Sequence, residues 1–198
     1  VVGVLTGILV IYVYKRLTEE VSYVESIVDK REYKIRVGNQ KSKEYKVESA
    51  NTLAEINKRI QVLIEHLDYK YNGDPVKGRI SKILKEKYSP DILSEAANDK
   101  RYTTFTVDKK EMHICLRTRD NKENMYDINL LMYVILHELA HLINYDKNGE
   151  PIIGHGREFM EIFRMLVSES MLIGVYQYTN YAERPVEYCG MYLSSSIV

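Results

Sequence analysis

Residues 127–143 read DINLLMYVILHELAHLI, an apolar run broken only by two histidines and a glutamate after its first three residues. A helix that is hydrophobic almost all round has to be buried. Placing His137, Glu138 and His141 inside it is costly unless they are paired or bound to a metal. The two histidines are four residues apart, so on a helix they leave from one face, one turn apart. Both imidazoles then reach a single tetrahedral Zn²⁺ at about 2.0–2.1 Å. Glu138, beside the first ligand, stands where it takes a proton from the zinc-bound water, as a catalytic base. Asp127 is the expected N-cap. Whatever fold forms is organised round this buried helix.

A third protein ligand has to come from elsewhere. The segment Asp146 to Pro151 turns the chain, and His155-Gly156 opens a second helix with Phe159, Ile162, Phe163, Leu166 and Val167 at core spacing. His155 is the preferred ligand, being neutral, close to the loop and next to a glycine that allows close approach. Glu158 and Glu161 compete with it as carboxylate ligands. Of the two remaining histidines, His66 is predicted at the polar edge of its helix and His113 on a strand as a solvated or core-edge residue.

The 28 basic and 28 acidic residues cancel, which removes the surplus of positive charge that a generic nucleic-acid binder needs. Two cysteines, Cys115 and Cys189, make no disulfide framework and fit a reducing compartment, with Cys189 expected as an inert buried thiol. No CxxC pair exists to hold a cysteine-based zinc finger.

Residues 1–14, VVGVLTGILVIYVY, carry no charge and stop at Lys15-Arg16, with Tyr12 and Tyr14 just before. Apolar stretch, aromatics and then a basic pair is the order in which a membrane span meets a cytoplasmic interface. Fourteen helical residues cover only about 21 Å, against the roughly 30 Å of a bilayer core. We expect an anchor here, and beyond it an amphipathic helical stalk in which Leu17, Val21, Val24 and Val28 dock on the domain or on a second copy. Residues 1–30 thus form the anchor and stalk, and 31–198 the folded domain.

Within the domain, residues 32–37 and 44–48 alternate about a turn and predict a hairpin. The capping-box spacing of Thr52 and Glu55 predicts a helix running to about Tyr71, and a shorter helix surrounds Ile80, Ile83 and Leu84. Residues 102–107 and 111–117 predict a second hairpin, whose later strand is the expected open edge for an extended substrate. Tyr176, Tyr178 and Tyr181 are candidates for stabilising an oxyanion, and Cys189-Gly190-Met191 for a turn beneath the metal.

HELAH, then thirteen residues, then HGREF, resembles the SprT-like and WLM zinc metallopeptidases, and MYVILHELAHL with the later VEYCGM is similar to WLM-type proteins of large DNA viruses. The similarity covers roughly residues 100–192. It implies an α+β, zincin-like fold: a small, mostly antiparallel sheet packed on the motif helix and further helices, here preceded by the apolar N-terminal helix. It implies His137, His141 and His155 as zinc ligands, Glu138 as catalytic base, and a protein or peptide substrate. The expected activity is zinc-dependent peptide hydrolysis by a membrane-tethered, single-pass protein whose catalytic domain faces the reducing side, with a virion membrane as one such surface. Two alternatives stand beside it. One is a soluble protease of the kind that cleaves proteins crosslinked to DNA, and the other a non-enzymatic, zinc-stabilised interaction or virion-structural module.

Overall fold

The computed structural model describes residues 21–38, 43–97, 104–107 and 109–198. The charge-free run of residues 1–14 and the first part of the stalk lie outside the described residues. Among the described residues, no helix is long and apolar enough to cross a membrane.

A five-stranded sheet stands in the order β1-β2-β3-β5-β4. Its strands are β1 (Val21–Glu25), β2 (Glu32–Arg36), β3 (Leu93–Glu95), β4 (Phe105–Val107) and β5 (Glu111–Ile114). β1–β2 and β4–β5 pair antiparallel, whereas β2–β3 and β3–β5 pair parallel. The sheet is therefore mixed rather than mostly antiparallel. The β2–β3 pair is parallel because a long helical segment separates the two strands. β3 and β5 run parallel with β4 between them in sequence, paired antiparallel on the far side of β5.

Residues 21–25 form a strand, not the helical stalk that the four-three-four valine spacing suggested. Val21 to Glu25 pair in register with Arg36 to Glu32, and Val24 packs against the core while Tyr23 stays exposed. Of the stretch 17–28 that was a candidate for self-association, Val21–Glu25 are thus a sheet strand and Val28 lies in the turn after it.

The first predicted hairpin is also replaced. Helix α1 (Lys43–Lys70) takes in residues 44–48, and β1 is the antiparallel partner of β2. Thr52 sits inside that helix, its hydroxyl donating to the Glu48 carbonyl at 2.9 Å rather than capping a start. Ala50, Leu53, Ala54, Ile56, Ile60, Leu63 and Leu67 form its buried stripe, and α1 packs on β1, β2 and β3. Helix α2 (Lys77–Lys87) follows where expected.

The motif helix, α3 (Ile128–Ile143), begins at Asp127, whose carboxylate accepts the N–H groups of Asn129 and Leu130. Leu131, Met132, Ile135, Leu136, Leu139, Ala140 and Leu142 have no exposed surface, so the helix is buried as its composition demands. It packs against α1, α2, α4 (Arg157–Leu172) and β4. A hairpin of β6 (Val186–Tyr188) and β7 (Met191–Leu193) closes the chain. Its two-residue turn, Cys189-Gly190, has both φ angles positive, at 53° and 88°.

Two features depart from the sequence reading. Cys115 and Cys189 are joined in a disulfide across 74 residues, so neither is a free thiol. Beneath the sheet, the buried guanidinium of Arg117 grips Glu95 with two hydrogen bonds, 2.7 and 2.9 Å, and donates to the Arg36 carbonyl at 2.8 Å. Arg36 in turn meets Glu123 at 3.3 Å, so buried charge is paired on β2, β3 and the loop before α3. Strand alternation sets Cys115 and Arg117 on the face opposite Met112, Ile114 and Leu116, yet all five are buried.

Candidate metal centre

α3 offers His137 and His141 on one face, and the loop after it brings back His155. The turn at residues 146–150 is held by the Asp146 carboxylate, which accepts the N–H groups of Asn148 and Glu150 at 2.8 Å each. Tyr145 and Pro151 bridge, and the Ile152 N–H donates to the Asn144 carbonyl at 2.9 Å. The chain then passes through Gly154 at φ +87°, a conformation that favours glycine, and delivers His155. The glycine expected to matter, Gly156, has an ordinary φ of −66° and serves as the N-cap of α4.

The three Nε2 atoms converge. His137 and His141 are 3.2 Å apart, His141 and His155 3.0 Å, and His155 and His137 3.1 Å. Three ligands of a tetrahedral zinc at 2.0–2.1 Å would stand about 3.3 Å apart, so the triangle fits the ion within a few tenths of an ångström. Burial, followed by the neighbouring imidazoles, lowers His137 to about 3; burial, then His155 and Lys109, lowers His141 to about 4. Both are thus held neutral, the form that offers a lone pair to a metal. Among the described residues these three form the one group able to hold an ion. Glu158 and Glu161 are exposed on α4, with Glu161 accepting from Arg157 at 2.8 Å.

Phe159, one turn into α4, is 1% exposed and touches all three imidazoles, with ring centroids 4.9, 4.3 and 4.7 Å from those of His137, His141 and His155. An aromatic at this position fixes the rings by packing where hydrogen bonds do not.

Glu138 is 6% exposed, and its Oε2 accepts from the Thr106 hydroxyl at 2.8 Å. Burial raises its carboxyl to about 7, against the hydrogen bonds from the Thr106 side chain and backbone, which lower it. Thr106 lies on β4, and among the described residues β4, not the 111–117 strand, is the edge of the sheet on this side, β1 being the other edge. β5 is interior because β3 covers its other side.

These groups open into a cleft of about 640 Å³, lined in addition by Thr104, Lys109, Tyr145 and the segment Pro151–Gly154. A wider groove of about 860 Å³ runs along α1 beside Met125 and Tyr126 and contains none of the histidines. Lys109 donates to the carbonyls of His141 and Asn144 at 2.6 and 2.7 Å, and its ammonium lies 4.3 Å from the Tyr145 ring centre. Burial, then Lys87, lowers Lys109 to about 8.

The tyrosines considered for the oxyanion are elsewhere. Tyr176 and Tyr181 are buried against Tyr133, at centroid distances of 5.8 and 4.9 Å, and Tyr178 is exposed with its hydroxyl donating to the Val198 carbonyl. A turn forms at Cys189-Gly190, but it is tied to Cys115 by the disulfide and does not line the metal cleft; next to it Tyr188 shares a hydrogen bond with Thr104. His66 bonds Glu169 at 2.7 Å, and His113 bonds Ser94 and Glu111 at 2.7 and 3.0 Å, so both outlying histidines serve other partners. Thr106, Lys109 and Phe159 were missed as site residues; Phe159 alone carried a signal, its core spacing behind His155.

No family model matches the chain. It is 35% identical over 199 residues to protein R325 of Acanthamoeba polyphaga mimivirus, spanning 96% of this chain and 91% of that one. To protein 136R of Invertebrate iridescent virus 6 it is 28% identical over 102 residues, 51% of this chain and 54% of the relative. Among solved structures, Wss1 from Saccharomyces cerevisiae superposes with a TM-score of 0.42 at 18% identity, covering 68% of this chain and 85% of Wss1.

Proposed function

We propose, on the premise that the chain belongs to the family of the mimivirus protein R325, that it is a zinc-dependent peptidase. Membership by itself assigns no chemistry. The observation that carries the reading is the Nε2 triangle of His137, His141 and His155, with edges of 3.0–3.2 Å, beside a buried carboxylate.

The three imidazoles, which line the cleft, would hold the ion. Zinc bound there would polarise a carbonyl and make water more acidic. Glu138 takes the proton of the attacking water and passes it to the departing amine. Its elevation to about 7 by burial suits a group that is base in one step and acid in the next. Thr106 holds that carboxylate in place through its hydroxyl. β4, as the sheet edge, offers backbone groups with which an extended peptide can pair. A purely structural zinc site would need neither the open cleft nor Glu138, which weighs against the non-enzymatic reading.

The charge-free residues 1–14, ending at Lys15-Arg16, support tethering of this peptidase to a membrane. Carbonate extraction of the full chain from membranes tests that part: a protein released wholly into the supernatant sinks the tether and leaves the peptidase reading intact.

The test of the activity is zinc content and cleavage of unstructured protein, wild type beside Glu138→Gln. One zinc per chain in both, with hydrolysis in the wild type only, is the expected result. Zinc in both and hydrolysis in neither, with free and DNA-crosslinked proteins among the substrates, overturns it. Cleavage confined to the DNA-crosslinked substrate favours the soluble, crosslink-directed alternative.

A further inference from the structure

We propose that Lys109 forms a carboxylate-binding subsite in the wall of the metal cleft, so that the preferred peptide carries an acid group beside the bond that is cut. This inference rests on the peptidase reading and names the substrate class for it.

Lys109 is the one lysine or arginine lining the cleft among the described residues. Its position is imposed by the backbone. In the turn between β4 and β5 it has φ +55°, a left-handed conformation uncommon for a residue with a side chain. Strain of this kind persists where the surroundings fix it. Here the surroundings are the C-terminal end of α3. The ammonium donates to the carbonyl of His141, one of the groups that a helix end leaves without an intrahelical partner, and to that of Asn144, which also accepts the Ile152 N–H. The Tyr145 ring lies beneath it at 4.3 Å and stiffens the stem.

An ammonium has three N–H donors. Two are used on those carbonyls, and among the described residues no further hydrogen-bond acceptor takes the third, which leaves it for a ligand in the cleft. Beside it the cleft is lined by Pro151, Ile152 and Ile153, the last 91% exposed; the Ile152 N–H donates to the same Asn144 carbonyl as the Lys109 ammonium. A fixed cation beside an apolar lip suits a peptide with a carboxylate next to an aliphatic residue. The carboxylate has two sources, an Asp or Glu side chain or the α-carboxylate of a chain end. A charge-assisted bond to an ordered ammonium is worth about 1.5–3 kcal/mol, or about tenfold or more in affinity.

The experiment measures binding of fluorescent hexapeptides of Ala and Leu to zinc-loaded Glu138→Gln protein, which is not expected to turn them over. One peptide carries a central Glu with an amidated end, a second its Gln isostere, and a third Gln with a free carboxyl end. The Glu peptide, or the free-acid peptide, is expected to bind about tenfold more tightly than the neutral one. Which of the two does so identifies the source of the carboxylate. In Lys109→Met the preference should fall to near unity with zinc content unchanged, and in Lys109→Arg it should persist. Equal binding of all three peptides, or a preference that survives Lys109→Met, overturns the subsite. If Lys109→Met loosens the end of α3 and loses zinc, Lys109→Gln, which keeps N–H donors for the two carbonyls, replaces it. Because binding is read without hydrolysis, an acid preference in a protein that cleaves nothing sinks the peptidase alone. Hydrolysis by a protein indifferent to charge sinks the subsite alone.

Discussion

The Thr106 hydroxyl donates to Glu138 Oε2 at 2.8 Å, tying the edge strand of the sheet to the carboxylate of the motif helix. A hydrogen bond to the ionised form lowers a carboxyl's pKa, so this contact works against the burial that lifts Glu138 to about 7. Thr106→Val keeps the shape and removes the donor. Cleavage should fall about tenfold with zinc content unchanged. The acid limb of the pH–rate profile should move to higher pH, because the carboxyl then gives up its proton later. A limb that stays in place, or moves down, would remove Thr106 from the mechanism.

His155 Nε2 stands 3.0 and 3.1 Å from those of His141 and His137, while Glu158 and Glu161 are exposed on α4. His155→Ala should weaken zinc by more than about a hundredfold, since loss of a mere supporting partner of a ligand already costs 10–100-fold. Glu158→Gln and Glu161→Gln should bind zinc as the wild type does. Chelation from a free-zinc level of 100 times the dissociation constant should remove about 2.7 kcal/mol of stability. Zinc titrations and urea melts with and without chelator read all of these. Wild-type affinity in His155→Ala would return the third position to a carboxylate.

How far the sequence foretold this arrangement depends on where each constraint resides. HELAH in an apolar helix was legible because the ligand spacing and the helix repeat are both local, and α3 spans Ile128–Ile143 much as the pattern requires. The segment EYKVE was not legible. Five alternating residues satisfy a strand, yet they form the first turns of α1, whose apolar stripe from Ala50 onward is set by tertiary packing. Val21 and Val24 suited a helix by spacing, but β2 offered a pairing edge that the pattern could not reveal. Thr106 and Lys109 act on α3 from a different element, and the disulfide joins residues 74 apart. None of these contacts leaves a periodic trace.

Away from the metal, Glu169 accepts from His66, Lys70 and Tyr71 at 2.7, 2.8 and 2.5 Å. Burial raises its carboxyl, but the hydrogen bonds from Lys70, Tyr71 and His66 outweigh it and hold the group at about 2. A carboxylate whose folded value lies below its unfolded one stabilises the fold above the unfolded value. That contribution is complete above about pH 4.5 and lost as pH falls towards 2. Urea melts of wild type and Glu169→Gln should therefore differ most near neutrality and converge over this range. Curves that stay parallel down to pH 2 would show that Glu169 contributes no proton-linked stability.

The disulfide between Cys115 and Cys189 pins the β6–β7 turn to the end of β5, next to Tyr188, which bonds Thr104 in the wall of the cleft. Closing a loop across 74 residues restricts the unfolded chain, and bridges of this kind contribute about 2–4 kcal/mol. Reduction, or the double variant Cys115→Ser with Cys189→Ser, should lower unfolding stability by about that amount. Thr104 also accepts the Cys115 N–H at 3.0 Å, so release of the hairpin removes one of its two partners among the described residues. Cleavage by the reduced, still folded protein should consequently decline, while zinc, held by α3 and the His155 loop, stays bound. Equal melting curves in the presence and absence of reductant, with the bridge verified by mass spectrometry, would deny it a role in stability. Loss of zinc on reduction would instead mean that the hairpin supports the histidines themselves.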